Sequence, residues 1–134
     1  MRFQTIIRTC LTRDYANFSG RATRSEFWLF ILFFLLANIV LSLLDGLIFG
    51  GLSMGAGNGR AWFISNGGPL EFLFSLCVVI PLLAVSVRRL HDIDRSGWWL
   101  LLHALPPVGQ IILFVFMLGR TRPGPNRFGP DPQQ

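Results

Sequence analysis

Apolar residues dominate three stretches of the chain, and charged residues are crowded into the segments beside them. The stretches are Phe27–Phe49, Leu70–Val87 and Trp98–Leu118. A helix needs about 20 apolar residues to cross a hydrocarbon core about 30 Å thick, and each stretch is close to that length. Because backbone polar groups in lipid must be paired within their own segment, the pattern predicts an all-α integral membrane protein with three apolar helical segments.

Short polar motifs indicate where the predicted elements begin. Thr23 and Glu26 match the S/T-x-x-E capping box, which starts the first span near residue 25. Pro69 and Glu71 suit the first turn of the second span, since proline is tolerated there and a carboxylate favours the positive end of the helix dipole. The chain is therefore predicted to form one membrane domain, 1–134. Its parts are a cytoplasmic or interfacial segment (1–24), span 1 (25–49), an external glycine-rich loop (50–69), span 2 (70–87), a cytoplasmic polar loop (88–97), a broken span 3 (98–118) and a tail (119–134).

The N-terminal segment has the spacing of an amphipathic helix. Apolar side chains recur there at steps of three and four, at Phe3, Ile6, Ile7, Cys10, Leu11, Tyr15 and Phe18. Such a helix can lie in the membrane interface with its apolar face towards the acyl chains. It can equally pack against the protein's own spans, and the sequence leaves both arrangements open.

Two consecutive prolines interrupt the third apolar stretch at its middle. Pro106 and Pro107 have no backbone N–H, and their rings clash with carbonyl groups one turn earlier, so the segment is predicted to be broken there. As helices, the halves Trp98–Leu105 and Val108–Leu118 are each about 12–17 Å long, too short to cross alone. They could form a re-entrant hairpin that returns the tail to the side from which the segment enters.

The distribution of arginine predicts the orientation in the membrane. All twelve basic residues are arginine, and the net charge is +5. Five arginines lie in residues 1–26 and three in 88–95, whereas the loop between the first two spans contains only Arg60. Since basic residues favour the cytoplasmic side, the N-terminus and the second loop are predicted to be cytoplasmic. Three straight crossings would place the arginines of the tail outside, and the hairpin removes this conflict.

The composition argues against several classes of protein. Charged residues make up only 14% of the chain, below the about 25% that is usual in soluble domains. The positive charge lies beside membrane segments and no nucleic-acid-binding module is recognisable, so anionic phospholipid is the expected partner rather than nucleic acid. Cys10 and Cys77 do not form a disulfide framework, and the sequence indicates no metal site and no cofactor.

The densest group of polar residues is the loop that follows the second span. His91, Asp92 and Asp94 are too crowded along the chain to surround a metal ion. A His91–Asp92 acid–base pair has no suitably spaced nucleophile, apart from Ser96. The arginines of the loop could form ion pairs with these aspartates and with the N-terminal segment, or could bind phospholipid phosphates. The predicted interfacial cluster comprises Arg21, Arg24, Glu26, Arg88, Arg89, His91, Asp92, Arg95 and Trp98.

Three polar segments together carry a resemblance to a known family. They are Phe18–Trp28 (FSGRATRSEFW), Arg88–Trp99 with its motifs RRLHD and RSGWW, and Pro123–Pro132 (PGPNRFGPDP). In this order and at this spacing they resemble the bacterial inner-membrane family called domain of unknown function 805, over nearly the whole chain. The resemblance implies a small multi-span protein of the bacterial cytoplasmic membrane. It implies no established reaction, substrate or cofactor, and so no catalytic residues.

The spans and the resemblance together predict a multi-pass protein of the bacterial inner membrane with a cytoplasmic N-terminus. The expected role is that of a non-catalytic membrane component that binds anionic lipid or a protein partner, or associates with further copies of itself. A small transporter or channel subunit is the main alternative, working as an oligomer with the broken third segment lining a path past His103. An intramembrane lipid-modifying enzyme that uses His91 and Asp92 is a further alternative.

Overall fold

The structure is a computed structural model that describes residues 3–49, 52–57, 60–65 and 67–132. Its elements are α1 (Phe3–Leu11), α2 (Arg24–Phe49), β1 (Leu52–Gly57), β2 (Arg60–Ser65), α3 (Pro69–Asp92), a 3₁₀ helix (Gly97–Ala104) and α4 (Val108–Leu118). They group into two compact units. The mid-chain unit is Leu32–Val79, and the arginine-end unit combines the residues up to Ile31 with those from Ile80 onward.

Helices α2 and α3 are long and apolar enough to cross a membrane. They have 26 and 24 residues, and their most apolar windows have mean hydropathies of 2.6 and 2.4. Only 11% and 22% of the residues in those windows are buried, so most of their apolar side chains point outward. Ile39 and Phe72, for example, are 57% and 68% exposed. An apolar surface of this extent is typical of contact with lipid rather than with water.

Helix α1 buries its apolar face against the protein. Ile6 and Cys10 are 2% and 1% exposed, whereas Arg8 is exposed to solvent. Part of the apolar face thus packs against the protein, whereas Ile7 and Leu11 are only half-buried, and a position in the membrane interface stays a prediction. Phe3, at the start of the helix, keeps 42% of its surface exposed.

The predicted capping box at the start of α2 is only half formed. The Glu26 N–H donates to Thr23 Oγ1 at 3.2 Å, as expected. The Glu26 carboxylate does not return to Thr23 and instead accepts a hydrogen bond from Arg88 Nη1 at 2.6 Å. Because a charged donor forms a stronger bond than a backbone N–H, the carboxylate ties the start of α2 to the end of α3.

In the mid-chain unit, a buried carboxylate joins α2 to the start of α3. Asp45 is 3% exposed and accepts from the backbone N–H of Leu70 at 3.2 Å and of Glu71 at 2.8 Å. Helix N-termini leave such N–H groups unpaired and stabilise negative charge. A Cβ at Gly68 would lie 2.1 Å from Asp45 Cγ, so glycine leaves the room that this carboxylate needs. Asp45 therefore caps α3, a role that its sequence position alone does not indicate.

Two short strands lie in the segment where the sequence predicts only a glycine-rich loop. β1 and β2 pair antiparallel, with Leu52 opposite Ser65 and Gly57 opposite Arg60. The dipeptide Asn58-Gly59 between them is a frequent sequence in two-residue hairpin turns, and it is the signal that could have predicted the strands. The apolar segments themselves are helical as predicted, and the two strands lie outside them.

The third apolar segment folds back on itself. The rings of Trp99 and Phe116 meet edge to face with centroids 5.3 Å apart, and a Cβ at Gly109 would lie 1.8 Å from the carbonyl oxygen of Leu102. The chain reverses between them at Pro106-Pro107. The first arm is a 3₁₀ helix of 8 residues rather than the α-helix expected, and α4 has 11 residues. Because a 3₁₀ helix rises about 2.0 Å per residue and an α-helix about 1.5 Å, the two arms match in length at about 16 Å.

The close approach at Gly109 gives a first prediction. The variant Gly109→Ala should lower the free energy of unfolding by about 1–3 kcal/mol, because the added Cβ would press the two arms apart. Thermal unfolding of the purified protein in detergent, followed by circular dichroism, measures the change. Val108→Ala is the control, since Val108 is 62% exposed and its truncation should change stability by less than about 0.5 kcal/mol. Equal stability of Gly109→Ala and the unmodified protein would contradict the packing described for the hairpin.

Candidate functional site at the arginine end

Asp92, the last residue of α3, is the acidic centre of a buried network of charged side chains. Its Oδ1 accepts from Arg21 Nε at 3.1 Å, and its Oδ2 accepts from Arg89 Nη1. The side chains of all three residues are no more than 1% exposed. A buried charge is tolerated only when it is paired and hydrogen-bonded, so the three residues depend on one another.

Arginine side chains also bind the carbonyl groups at the end of α4. Arg89 Nε and Nη2 each lie 3.3 Å from Met117 O, and Arg89 Nη2 also donates to Gly119 O. Arg24 Nε donates to Gly119 O at 2.7 Å, and its Nη2 donates to Leu118 O. The last carbonyls of a helix have no partner within it, and cations are stabilised at this negative end of the dipole. Arg24 and Arg89 therefore cap α4 from the start of α2 and the end of α3.

Arg88 forms the second ion pair between α3 and the N-terminal part of the chain. Besides Glu26, it lies 3.5 Å from Asp14 Oδ2 and 3.9 Å from Cys10 Sγ. Its backbone carbonyl accepts from the Ala22 N–H at 3.0 Å. Burial, and after it the neighbouring Glu26 carboxylate, raises the pKa of the Cys10 thiol to about 11. Cys10 is therefore a protonated packing residue at neutral pH rather than a nucleophile.

The tail binds the same network from the other side. Arg21 Nη1 donates to Gly124 O at 2.6 Å, and its Nη2 donates to Arg122 O. The Arg122 N–H donates in turn to Asp92 O at 3.3 Å. Gly124 has a φ of +77°, a left-handed conformation that glycine adopts without steric cost, and its N–H donates to Asp131 Oδ2 at 2.9 Å. The tail is thus a folded turn that is held by Arg21.

His91 is part of the contact with the tail and not of an acid–base pair. Its Nδ1 lies 3.1 Å from Gly20 O, so this nitrogen is the donor, and its ring stacks on Phe128 with centroids 3.9 Å apart. Asn126 Nδ2 donates to the His91 backbone carbonyl at 2.9 Å. The imidazole is therefore oriented by a backbone carbonyl and an aromatic ring, and neither Asp92 nor Asp94 orients it through Nδ1. This arrangement gives no support to catalysis by His91.

Asp94 makes the outer, partly exposed ion pairs with the tail. It pairs with Arg122, and its Oδ1 lies 3.2 Å from Arg127 Nε. The side chains of the two arginines are 60% and 62% exposed. Such exposed pairs are worth about 0–1 kcal/mol each, much less than the cost of separating the buried pairs at Asp92.

Two of the predicted cluster residues lie outside the network. Arg95 places its guanidinium over the rings of Trp99 and Phe116, at 5.1 and 5.2 Å from their centroids. Trp98 is 78% exposed. The structure thus brings together Arg21, Arg24, Glu26, Arg88, Arg89, His91 and Asp92, and it adds the carbonyls of α4 and the tail residues, which the sequence did not assign to the cluster. In the part of the chain that the structure describes, no group of three His, Cys, Asp or Glu residues could hold a metal ion.

These features define a helical membrane protein whose apolar helices are joined at one end by buried ion pairs. Residues 15–130 match the family described as "Protein of unknown function (DUF805)", and the chain belongs to this family, which confirms the resemblance seen in the sequence. The chain is 41% identical over 122 residues to "Inner membrane protein YhaH" of Escherichia coli (strain K12), which covers 90% of this chain and 91% of that protein. It is 35% identical over 121 residues to "Inner membrane protein YhaI" of the same strain, which covers 90% of each. No solved structure matches the chain.

The buried pairs at Asp92 give a second prediction. Asp92→Asn should destabilise the protein by about 3–5 kcal/mol, because Arg21 and Arg89 would remain buried without a counter-charge. Asp94→Asn is the matched control, and it should cost no more than about 2 kcal/mol, since both of its arginine partners are exposed. Both changes are measured by thermal unfolding in detergent. The account of the network is contradicted if the two variants are equally stable.

The environment of Cys10 gives a third prediction. In a Cys77→Ala background, Cys10 is the only thiol, and its alkylation rate in the folded protein should be at least about a hundredfold below that in denaturant at pH 8.5. The reason is that raising the thiol pKa from 9.0 to about 11 lowers the thiolate fraction. The folded rate should still rise about tenfold per pH unit between pH 8 and 10, whereas the rate in denaturant is half-maximal near pH 9 and levels off at about pH 10. A folded rate that levels off at the same pH would show that the thiol is not buried beside Glu26.

Proposed function

We propose that this protein is a non-catalytic, multi-pass component of the inner membrane whose arginine end binds anionic phospholipid. In this proposal the N-terminal segment, the residues after α3 and the tail lie on the cytoplasmic side. The proposal rests on one observation, the difference in exposure between the arginines and the carboxylates of the arginine-end unit.

Six arginines of this unit are exposed: Arg8, Arg13, Arg95, Arg120, Arg122 and Arg127. Among the described residues of the same unit, every aspartate and glutamate is buried or half-buried. The carboxylates are thus less exposed than these six arginines, and the surface of this unit is positively charged. Anionic lipids attract such a surface by about 1 kcal/mol per basic residue near the headgroups.

Three of the exposed arginines are available for a ligand. Arg8, Arg13 and Arg120 have no side-chain partner in the described part of the chain. A guanidinium offers a planar set of N–H donors that matches two oxygens of a phosphate group. The buried arginines Arg21 and Arg89, in contrast, have their donors engaged by protein groups. The arginines therefore divide into a structural set and a set that can bind headgroups.

The proposed orientation in the membrane is based on the positions of the exposed arginines. The tail returns to the end of α3, as the hydrogen bond from the Arg122 N–H to Asp92 O requires. All six exposed arginines consequently belong to one polar region, and basic residues beside membrane segments favour the cytoplasmic side. A hairpin of arms about 16 Å long does not span a core of about 30 Å, so the third segment would enter and leave on the same side.

Lipid retention tests this proposal and is the fourth prediction. The protein, purified in mild detergent and exchanged into mixed micelles, should retain phosphatidylglycerol in preference to phosphatidylcholine when bound lipid is counted by native mass spectrometry. A triple variant with Arg8, Arg13 and Arg120 changed to Gln should lose most of this preference, since about 1 kcal/mol per arginine is removed.

The matched control replaces the same three arginines with Lys. This variant keeps the charge and should keep most of the preference, while losing part of it because an ammonium group cannot bind phosphate in the same two-point manner. If the Gln variant retains phosphatidylglycerol as well as the unmodified protein does, anionic lipid is not bound by these residues and the proposal fails.

A further inference from the structure

A groove of about 280 Å³ in the arginine-end unit opens between the folded-back third segment and the two long helices. Its walls are apolar and aromatic, and they include Trp28 of α2 and Phe114 of α4, whose rings meet edge to face at 5.9 Å. Three polar side chains also line it: Ser86 of α3, His103 of the 3₁₀ helix and Gln110 of α4. None of them belongs to the arginine network.

The hydrogen bonds of these polar groups determine what they offer to a ligand. His103 Nδ1 lies 3.2 Å from Leu100 O, and since a carbonyl only accepts, Nδ1 carries the proton and Nε2 of the neutral ring is an acceptor. The Ser86 hydroxyl donates to Leu82 O at 2.7 Å, which leaves its oxygen as an acceptor. The Gln110 amide has no partner in the described part of the chain. The three side chains thus offer acceptors in His103 Nε2, Ser86 Oγ and Gln110 Oε1, and one donor group in Gln110 Nε2. Because acceptors predominate, the groove suits a ligand that brings O–H donors.

The depth of His103 and Gln110 in the membrane bears on whether these side chains need a hydrogen-bonding partner. Gln110 lies nine residues before Gly119, where arginines bind the end of α4, and this corresponds to about 13 Å along the helix. In the proposed orientation Gln110 and His103 are close to the middle of a core about 30 Å thick. Unpaired polar groups at that depth are costly and usually serve a function. The depth assigned to His103 and Gln110 rests on the proposed function, which includes the orientation in the membrane. The groove and its acceptors are features of the structure and do not depend on that orientation.

We propose that the groove binds a lipid-soluble hydroquinone, an aromatic ring with two phenolic O–H groups and an apolar tail. One O–H donates to His103 Nε2 and the other to Gln110 Oε1 or Ser86 Oγ. The ring of the hydroquinone lies against Trp28 and Phe114. Its apolar substituent leaves through the open side of the groove into the lipid. The proposal concerns binding alone and includes no electron transfer.

Other occupants fit the groove less well. An acyl chain would leave every acceptor unpaired. An oxidised quinone could accept one hydrogen bond from Gln110 Nε2, but its second carbonyl would face His103 Nε2 or Ser86 Oγ, which are acceptors. A cluster of waters would satisfy the polar groups but would also fill an apolar, aromatic-walled space in which ordered water finds few partners. A ring with O–H donors satisfies both the polar and the apolar surfaces.

The test compares three probes on the full-length protein in detergent, by equilibrium dialysis against protein-free micelles. They are a decyl-substituted dimethoxy-methyl hydroquinone kept reduced under anaerobic conditions, its dimethyl ether, which lacks both O–H donors, and the corresponding quinone. The protein should retain the hydroquinone about tenfold more strongly than the ether or the quinone, the factor expected for a hydrogen bond in a dry site.

Variants then locate the binding site. His103→Phe and Gln110→Leu should each weaken hydroquinone retention by about tenfold, since each removes one acceptor. Asn38→Leu is the matched control, a polar-to-apolar change in α2 at a residue that does not line this groove, and it should leave retention unchanged. Equal retention of all three probes would show that the groove holds apolar chains, and no retention above micelles would show that water or a second copy fills it. Either result overturns the proposal, as does undiminished binding by both His103→Phe and Gln110→Leu.

Discussion

The contacts of the arginine-end unit depend on the unpaired carbonyl groups at the C-terminus of α4. A helix ends with carbonyl groups that have no N–H partners, and at the edge of a membrane these groups must find donors in side chains or headgroups. Arg24 and Arg89 supply the donors to residues 117–119. Burying Arg89 in turn requires a counter-charge, and Asp92, one turn further along α3, provides it. Because Asp92 also binds Arg21, the segment before α2 and the tail are drawn to the same point.

This arrangement explains why arginine, and not lysine, suits the buried positions. Arg89 donates to a carboxylate and to two backbone carbonyls at once, and Arg21 reaches a carboxylate and two carbonyls of the tail. The planar, fixed set of five N–H donors in a guanidinium allows several acceptors in different directions, whereas an ammonium group is a compact point charge. Fixing both ends of the hairpin near these side chains also holds its two arms beside α2 and α3, which creates the groove that contains His103 and Gln110.

Much of this architecture could be predicted from the sequence, because the relevant signals are local. The apolar lengths predict the long helices, Pro106-Pro107 predicts the break, and charges of both signs beside the spans predict an interfacial cluster. Other features depend on contacts between distant segments and could not be predicted. Arg24 donates to backbone carbonyls. Since every residue has a backbone carbonyl, no sequence motif indicates which ones will accept. The stacking of His91 on Phe128 requires the tail to fold back, and no local signal distinguishes the 3₁₀ form of the first arm from an α-helix. For the two strands, in contrast, the dipeptide Asn58-Gly59 is a local signal in the sequence.

The side of the membrane on which the tail lies is the most decisive measurement. In the proposed topology, the returning hairpin held by Arg21 and Asp92 would place the N-terminal segment and the tail on one side. The measurement is the activity of fusions to a phosphatase that folds only in the periplasm, paired with fusions to a fluorescent protein that folds only in the cytoplasm. We expect an inactive phosphatase and a bright fluorescent protein at the C-terminus, with the reverse for fusions truncated after Asn58. An active phosphatase at the C-terminus, on a stably expressed chain, would show that the third segment crosses the membrane and would contradict the account.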